Sequence, residues 1–175
     1  SLSFTHENDD LFLGVNTSIF ETLKESYNDK YEYFLPEITL DKNLVSNRYG
    51  NLNLQSNLKV HNYDTNKTSN FLTNDFNWVS KNLLSENGVT GQILGNLKNI
   101  NYSTKNIDLY KDDSTNELFG ALGYLAEIDL EKNSNKKKHL LTPKMLVRYS
   151  PGSMRKESDG GKLGTQNAFY LNRLN

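Results

Sequence analysis

The chain has 175 residues, of which 35% are hydrophobic, 11% aromatic and 23% charged, with a net charge of -1 and no cysteine. Its mean hydropathy is -0.70. That polarity invites a reading as disorder, but ten Tyr, eight Phe and one Trp against only three Pro argue for a folded chain. The balanced charge gives no bulk attraction to nucleic acid. No apolar run approaches the roughly 18 residues of a transmembrane helix, a test that leaves β-barrels untouched.

Ser1–Asp10 has neither a basic start nor an apolar stretch, so no signal peptide is expected there. Period-two alternation dominates the rest. It predicts eight strands, at about 8–22, 31–45, 49–62, 69–81, 88–103, 116–131, 138–149 and 165–174. Strand 49–62 sets Leu52, Leu54, Leu58 and Val60 against Asn51, Asn53, Gln55, Asn57 and Lys59. Strand 116–131 sets Leu122, Tyr124, Ala126, Ile128 and Leu130 against Glu127, Asp129 and Glu131. Strand 138–149 sets Leu141, Met145, Val147 and Tyr149 against Thr142, Lys144 and Arg148, with Leu146 an exception on the polar side. Each pattern gives a strand one apolar and one polar face.

Turn-rich stretches join consecutive strands, which implies antiparallel up-and-down pairing. Most of the strands exceed about 12 residues, against a soluble mode of about 5–6 and roughly 9–11 for a membrane-crossing strand. The connections tend to alternate between longer and shorter, as in outer-membrane barrels. The expected fold is therefore all-β, an antiparallel up-and-down meander forming about eight strands of a larger transmembrane barrel. Residues 1–175 are expected to be part of one barrel domain. The strand-like Phe169–Leu174 runs up to Asn175 without a stop signal, which points to an internal piece of a longer chain.

No catalytic constellation emerges. Gly160-Gly161-Lys162-Leu163 lacks the Ser or Thr that a phosphate loop needs after its Lys. His6, His61 and His139 stand singly, without metal-ligand spacing. Asp64, Asn66 and Thr68 lack the Gly and Glu of a calcium loop. Glu127, Asp129 and Glu131 read as a hydrated strand face, able to pair with Lys144 and Arg148 on the next strand. No enzyme, cofactor or metal is expected. Tyr31, Tyr33, Phe34, Tyr49, Phe76, Trp78, Tyr102, Phe119 and Tyr149 fall near strand ends, where aromatic girdles would lie.

Three segments carry a resemblance. His139–Arg155 contains Leu-Thr-Pro-Lys and Arg-Tyr-Ser-Pro-Gly, Asn28–Thr39 contains Asp-Lys-Tyr-Glu-Tyr-Phe-Leu-Pro, and Asn116–Gly123 reads Asn-Glu-Leu-Phe-Gly-Ala-Leu-Gly. These resemble barrel stretches of the LptD family, outer-membrane proteins that insert lipopolysaccharide into the outer leaflet. The likeness runs from about Asp9 to Leu174 and consists of strand and turn patterns. It implies a barrel of many more strands, a periplasmic β-jellyroll, an LptE-like lipoprotein plug and an LptA-like periplasmic bridge. It also implies lipopolysaccharide and outer-membrane lipid as partners, the Gram-negative outer membrane as location, and transport without catalysis. Asn51, Asn53, Gln55, Glu127, Asp129, Lys144 and Arg148 are then expected to face the lumen as a polar conduit. Leu52, Leu54, Leu122, Ile128 and Val147 are expected to face lipid. The alternatives are another outer-membrane barrel, such as a porin or receptor, and a soluble all-β binding or adhesin module.

Overall fold

The structure is a computed structural model, and it describes residues 1–21, 31–63, 67–84, 87–107, 114–134, 137–151, 169 and 171. In chain order the strands are β1 (Leu2–Asn8), β2 (Leu11–Glu21), β3 (Tyr31–Ser46), β4 (Gly50–Tyr63), β5 (Lys67–Ser80), β6 (Leu83–Leu84), β7 (Val89–Lys105), β8 (Thr115–Ile128), β9 (Leu130–Ser134), β10 (Lys137–Leu141) and β11 (Lys144–Tyr149). No helix occurs among the described residues. The main sheet is an antiparallel meander in sequence order, β1-β2-β3-β4-β5-β7-β8-β11, with β6 pairing β7. β9 and β10 form a separate hairpin, and the sheet is not closed into a barrel.

Contacts divide the chain into two compact units. The first holds Ser1–Leu44, Asn53–Phe76 and Lys98–Leu118; the second holds Val45–Leu52, Asn77–Leu97 and Phe119–Asn175.

In the first unit, β1 and β2 form a hairpin, of which the expected first strand, 8–22, covers only the second half. Leu2 pairs with Thr17, Phe4 with Val15 and His6 with Leu13, while Ser3 pairs with Asn16, Thr5 with Gly14 and Glu7 with Phe12. Residues opposite one another share a face, so the rungs alternate between apolar and polar. β2 continues the pattern onto β3 until the register shifts between Asn16 and Ser18. Asn16 pairs with Glu37, but Ser18 pairs with Phe34, so β3 holds one extra residue. Pro36, without an N–H to donate, falls within this interruption. The shift places Phe34 and Glu32 on the face of Asp41, and Tyr33 and Tyr31 on the face of Leu40.

In the second unit, Asn47 closes the β3–β4 turn. Its Oδ1 accepts from the backbone N–H of Tyr49 (2.9 Å) and Gly50 (3.2 Å). β8 and β11 pair from Leu122↔Tyr149 to Glu127↔Lys144. The expected strands 116–131 and 138–149 are each divided, at Asp129 and at Thr142–Pro143. Pro143 has no N–H, which interrupts the ladder. The register nevertheless carries through, because the Ile128 N–H donates to the Pro143 carbonyl (3.3 Å) and Leu130 pairs with Leu141 beyond it. The expected strand 165–174 lies outside the described residues, except for Phe169 and Leu171. Leu171 is buried with Ala121, and Leu94 and Phe119 pack against them.

Gly50 shows how tightly β4 and β5 meet. A Cβ there would lie 2.4 Å from the Val79 carbonyl oxygen, a backbone atom that cannot swing away. Gly50→Ala is expected to cost about 1–3 kcal/mol, read as a lowered urea midpoint. An unchanged midpoint would mean that the strands separate here without penalty.

Candidate functional site

The two faces of the sheet differ in chemistry in an unusual sense. Side chains buried among the described residues include Ser69, Asp75, Ser80, Asn96 and Thr104, with only Tyr102, Ala121 and Leu171 from the apolar set. No large side chain is fully buried among them. Leu118 (64%), Leu122 (59%), Val147 (58%), Met145, Tyr149, Phe4, Ile19 and Leu97 are exposed. On β7 and β8, and at Asp75 of β5, burial thus follows the polar face; on β4 it does not, since Leu52 and Leu54 are half-buried while Asn51, Gln55 and Asn57 are exposed.

The polar face of the first unit is built from cross-strand pairs. Asp41 on β3 accepts from the side-chain amides of Asn53 and of Gln55 (3.0 Å) on β4. Both amides were expected polar-face residues; the carboxylate that gathers them was not anticipated. His61 Nε2 lies 2.5 Å from Glu32 Oε1, and its ring stacks on Phe34 at 4.1 Å. The Lys59 ammonium sits 4.6 Å from the same Phe34 ring centroid. The β3 register shift makes this cluster possible by placing Glu32 and Phe34 on the face that carries Lys59 and His61 of β4. Deeper in the face, Lys98 Nζ is 3.8 Å from Asp75, with both side chains mostly covered. Phe71 stacks on Tyr102 beside them at 5.5 Å. On the opposite face Ser56 donates to Asn74 (2.7 Å), so this polar pair among leucines is satisfied internally.

In the second unit, Lys144 Nζ meets Glu127 Oε2 at 2.8 Å, and the Thr142 hydroxyl donates to Asp129 at 2.6 Å. The Arg148 Nε–H donates to the Leu171 carbonyl at 3.2 Å. The Ser46 hydroxyl (2.8 Å) and Lys81 Nζ (3.5 Å) both reach Asn51 Oδ1. By register, Lys144/Glu127 and Arg148/Gly123 share one face, while Val147/Tyr124 and Tyr149/Leu122 share the other. Leu52, Leu54 and Ile128 are half-buried. Tyr124 on the apolar face lies so close over Gly91 that a Cβ there would collide with the ring.

Leu146, the odd apolar residue of the polar face, has a local reason. Gly123 pairs with Arg148 beside it, and the space left by the missing side chain holds both Leu146 and Leu171. This end of the polar face therefore carries an apolar patch. An open cavity of about 710 Å³ adjoins it, lined by Trp78, Val79, Leu94, Leu125, Phe169 and Leu171. The polar groups at its wall already have partners: Asn77 with Asn96, Gln92 with Asn82, Thr142 with Asp129 and Lys144 with Glu127. What remains free at the wall is apolar.

The aromatic residues divide. Tyr31, Tyr49 and Tyr149 are exposed. Phe34, Tyr102 and Phe119 belong to the polar face or its apolar patch and do not join an outer girdle. Among the described residues no group of three His, Cys, Asp or Glu could hold a metal ion. Gly160–Leu163 and the Asp64 and Asn66 positions lie outside the described residues. No family model and no curated protein matches the chain.

The Asp75–Lys98 pair supplies a test of this face. Asp75→Ala leaves a covered ammonium without that carboxylate and is expected to cost on the order of 3 kcal/mol, the low end for a buried pair. Adding Lys98→Met should recover most of the loss, measured by urea unfolding of the single and double variants.

Proposed function

We propose that this sheet forms part of the wall of a β-barrel in the Gram-negative outer membrane, and that the barrel transports lipopolysaccharide. The observation that carries the first half is the reversal of polarity: Asp75, Asn96 and Thr104 are buried, while Leu118, Leu122 and Val147 are exposed. Lipid would cover the exposed leucines and valines, and strand pairing leaves few backbone groups to satisfy. Among the described residues the sheet ends at β1 and β11, and further strands of the barrel would pair there. A soluble binding module is a poorer fit, because so broad an apolar face would stand in water.

The second half rests on the likeness of His139–Arg155, Asn28–Thr39 and Asn116–Gly123 to LptD-family barrels. Lipopolysaccharide would arrive from an LptA-like bridge, its sugars passing along the polar face and its acyl chains entering the membrane. An LptE-like lipoprotein would plug the lumen. Asn51, Asn53, Gln55, Glu127, Asp129, Lys144 and Arg148 would line the sugar path. Leu52, Leu54, Leu122, Ile128 and Val147 would meet outer-membrane lipid. No bond is made or broken. The side-chain amides and internally paired charges would exchange hydrogen bonds with sugar hydroxyls without gripping them. A porin or receptor shares the same wall physics; the segment around Leu141–Gly152 favours the lipopolysaccharide reading.

Two measurements test the halves separately. In the intact outer-membrane protein, Leu122→Arg is expected to destabilise the barrel by roughly 2–4 kcal/mol near the bilayer midplane. Glu127→Ala should leave it folded, with heat-modifiable gel migration after folding into lipid vesicles as the readout. Silence of both variants would remove the membrane reading. A photo-crosslinking residue at Gln55 should capture lipopolysaccharide in cells, whereas one at Leu122 should capture phospholipid. A folded barrel with no lipopolysaccharide adduct at Gln55 would favour the porin or receptor alternative.

A further inference from the structure

The rungs running from the β8/β11 pair into the β9–β10 hairpin change character at one position. On the apolar face they read Leu122/Tyr149, Tyr124/Val147 and Ala126/Met145. Ile128 and Pro143 then meet through a backbone hydrogen bond, followed by the Leu130/Leu141 rung. The next rungs on that face are Lys132/His139 and Ser134/Lys137. Leu130 and Leu141 are exposed, and so are Lys132, Lys137 and His139. The surface thus passes from exposed leucine to exposed lysine within one rung, on a register that does not slip across the Pro143 break.

The opposite face of the hairpin behaves differently. There Lys138 Nζ sits 2.9 Å from Glu131 Oε2, which also accepts from Asn133 through its other oxygen (2.8 Å). Lys132 and Lys137 have no carboxylate partner among the described residues, and no carboxylate shares their rungs. The two lysines therefore lie on adjacent rungs beside an apolar band, with no counter-charge among the described residues.

We infer that Lys132 and Lys137, on the outer face of the β9–β10 hairpin, bind the anionic headgroups of glycerophospholipids. This rests on the membrane-wall reading and adds to it the position and chemistry of one membrane boundary. The far limit of the band on β8 is Asn116, which precedes the exposed Leu118 on the same face. From Leu118 to Leu130 the strands rise about 40 Å. At the roughly 35–45° tilt of barrel strands this covers about 30 Å of membrane, close to the hydrocarbon thickness. Lysines at that edge extend their alkyl stems along the apolar rung and hold their ammonium groups at headgroup level.

The connectivity selects the leaflet. In a meander, successive connections alternate between two ends. By that alternation the β9–β10 turn falls with the connections at residues 9–10, 47–49 and 81–88, and those at residues 22–30, 64–66 and 106–114 fall at the other end, so shorter connections predominate on the hairpin's side. Short turns face the periplasm in outer-membrane barrels, and the periplasmic leaflet is phospholipid.

Flotation of the intact chain with vesicles tests the inference. Vesicles of phosphatidylcholine alone, of phosphatidylcholine with phosphatidylglycerol, and of phosphatidylcholine with lipopolysaccharide would be compared at low salt. Phosphatidylglycerol should strengthen binding on the order of tenfold, as two surface lysines can supply. Lys132→Gln/Lys137→Gln should lose most of that gain while keeping the binding to phosphatidylcholine, with circular dichroism showing the strand content unchanged. Inorganic phosphate should compete no better than chloride at equal ionic strength; stronger competition would make this a free-anion site. A double variant that keeps the full gain would overturn the inference and leave the membrane reading standing. A larger lysine-dependent gain with lipopolysaccharide than with phosphatidylglycerol would overturn the leaflet assignment. Failure to bind any of the vesicles would sink both readings.

Discussion

Everything that gives this sheet two chemistries depends on strand register. Side chains alternate with period two, so a slip of one residue would carry every leucine to the polar face and every amide to the apolar one. The chain holds register where backbone pairing is weakest. At Pro143 the ladder loses a donor, yet the Ile128 N–H still reaches the Pro143 carbonyl and the Thr142 hydroxyl reaches Asp129. The Leu130/Leu141 rung therefore remains in phase with Tyr124/Val147. Near Asn16 the opposite device is used: one extra residue on β3 changes the phase deliberately. It brings Glu32 and Phe34 to His61, and sends Tyr31 outward as an exposed side chain.

The reversal of polarity sets the energetic terms. In water the exposed Leu118, Leu122, Met145 and Val147 contribute no burial, while Asp75 and Asn96 lose hydration. At about 25 cal/mol per Å² of apolar surface, covering those side chains would be strongly favourable. The polar groups meanwhile require partners wherever water is excluded. Lys98 serves Asp75, and Asn77 serves Asn96. The same arrangement is costly for a soluble domain and economical for a wall between lipid and a hydrated interior.

The sequence made the simplest alternations legible. Leu122 with Glu127, and Val147 with Lys144, stand on opposite faces because β8 and β11 are regular between those residues. Asn53 and Gln55 were identified as polar-face residues, but Asp41, which joins them, lies on a strand whose alternation is broken by the shift at Pro36. A local pattern contains no record of an extra residue, so Glu32 and Phe34 were hidden for the same reason. The β1–β2 hairpin escaped notice because Asp9 and Asp10 supply its turn inside a short polar stretch, without a glycine. Leu146 broke the pattern for a reason that only three dimensions reveal: Gly123 across the sheet leaves room for it and for Leu171. Aromatic residues near strand ends were equally ambiguous. The exposed Tyr149 and the Phe71-stacked Tyr102 have similar sequence positions and opposite surroundings.

The distribution of charge bears on how such a face would treat a cargo. Within the first unit, Asp75 lies beside Lys98, Glu32 beside His61, and Asp41 between two amides. Within the second, Glu127 holds Lys144 and Glu131 holds Lys138. Where opposite charges meet at close range, as at Asp75–Lys98, Glu127–Lys144 and Glu131–Lys138, little field extends beyond a few ångströms, and added salt screens what remains. A polyanionic lipopolysaccharide sugar chain would then meet many weak hydrogen-bond partners and no deep electrostatic trap. Transport requires that balance, since a site that binds too strongly does not release. Lys132 and Lys137, which have no carboxylate partner among the described residues, lie on the apolar side of the hairpin, where attachment to a headgroup would anchor a barrel wall without obstructing its lumen.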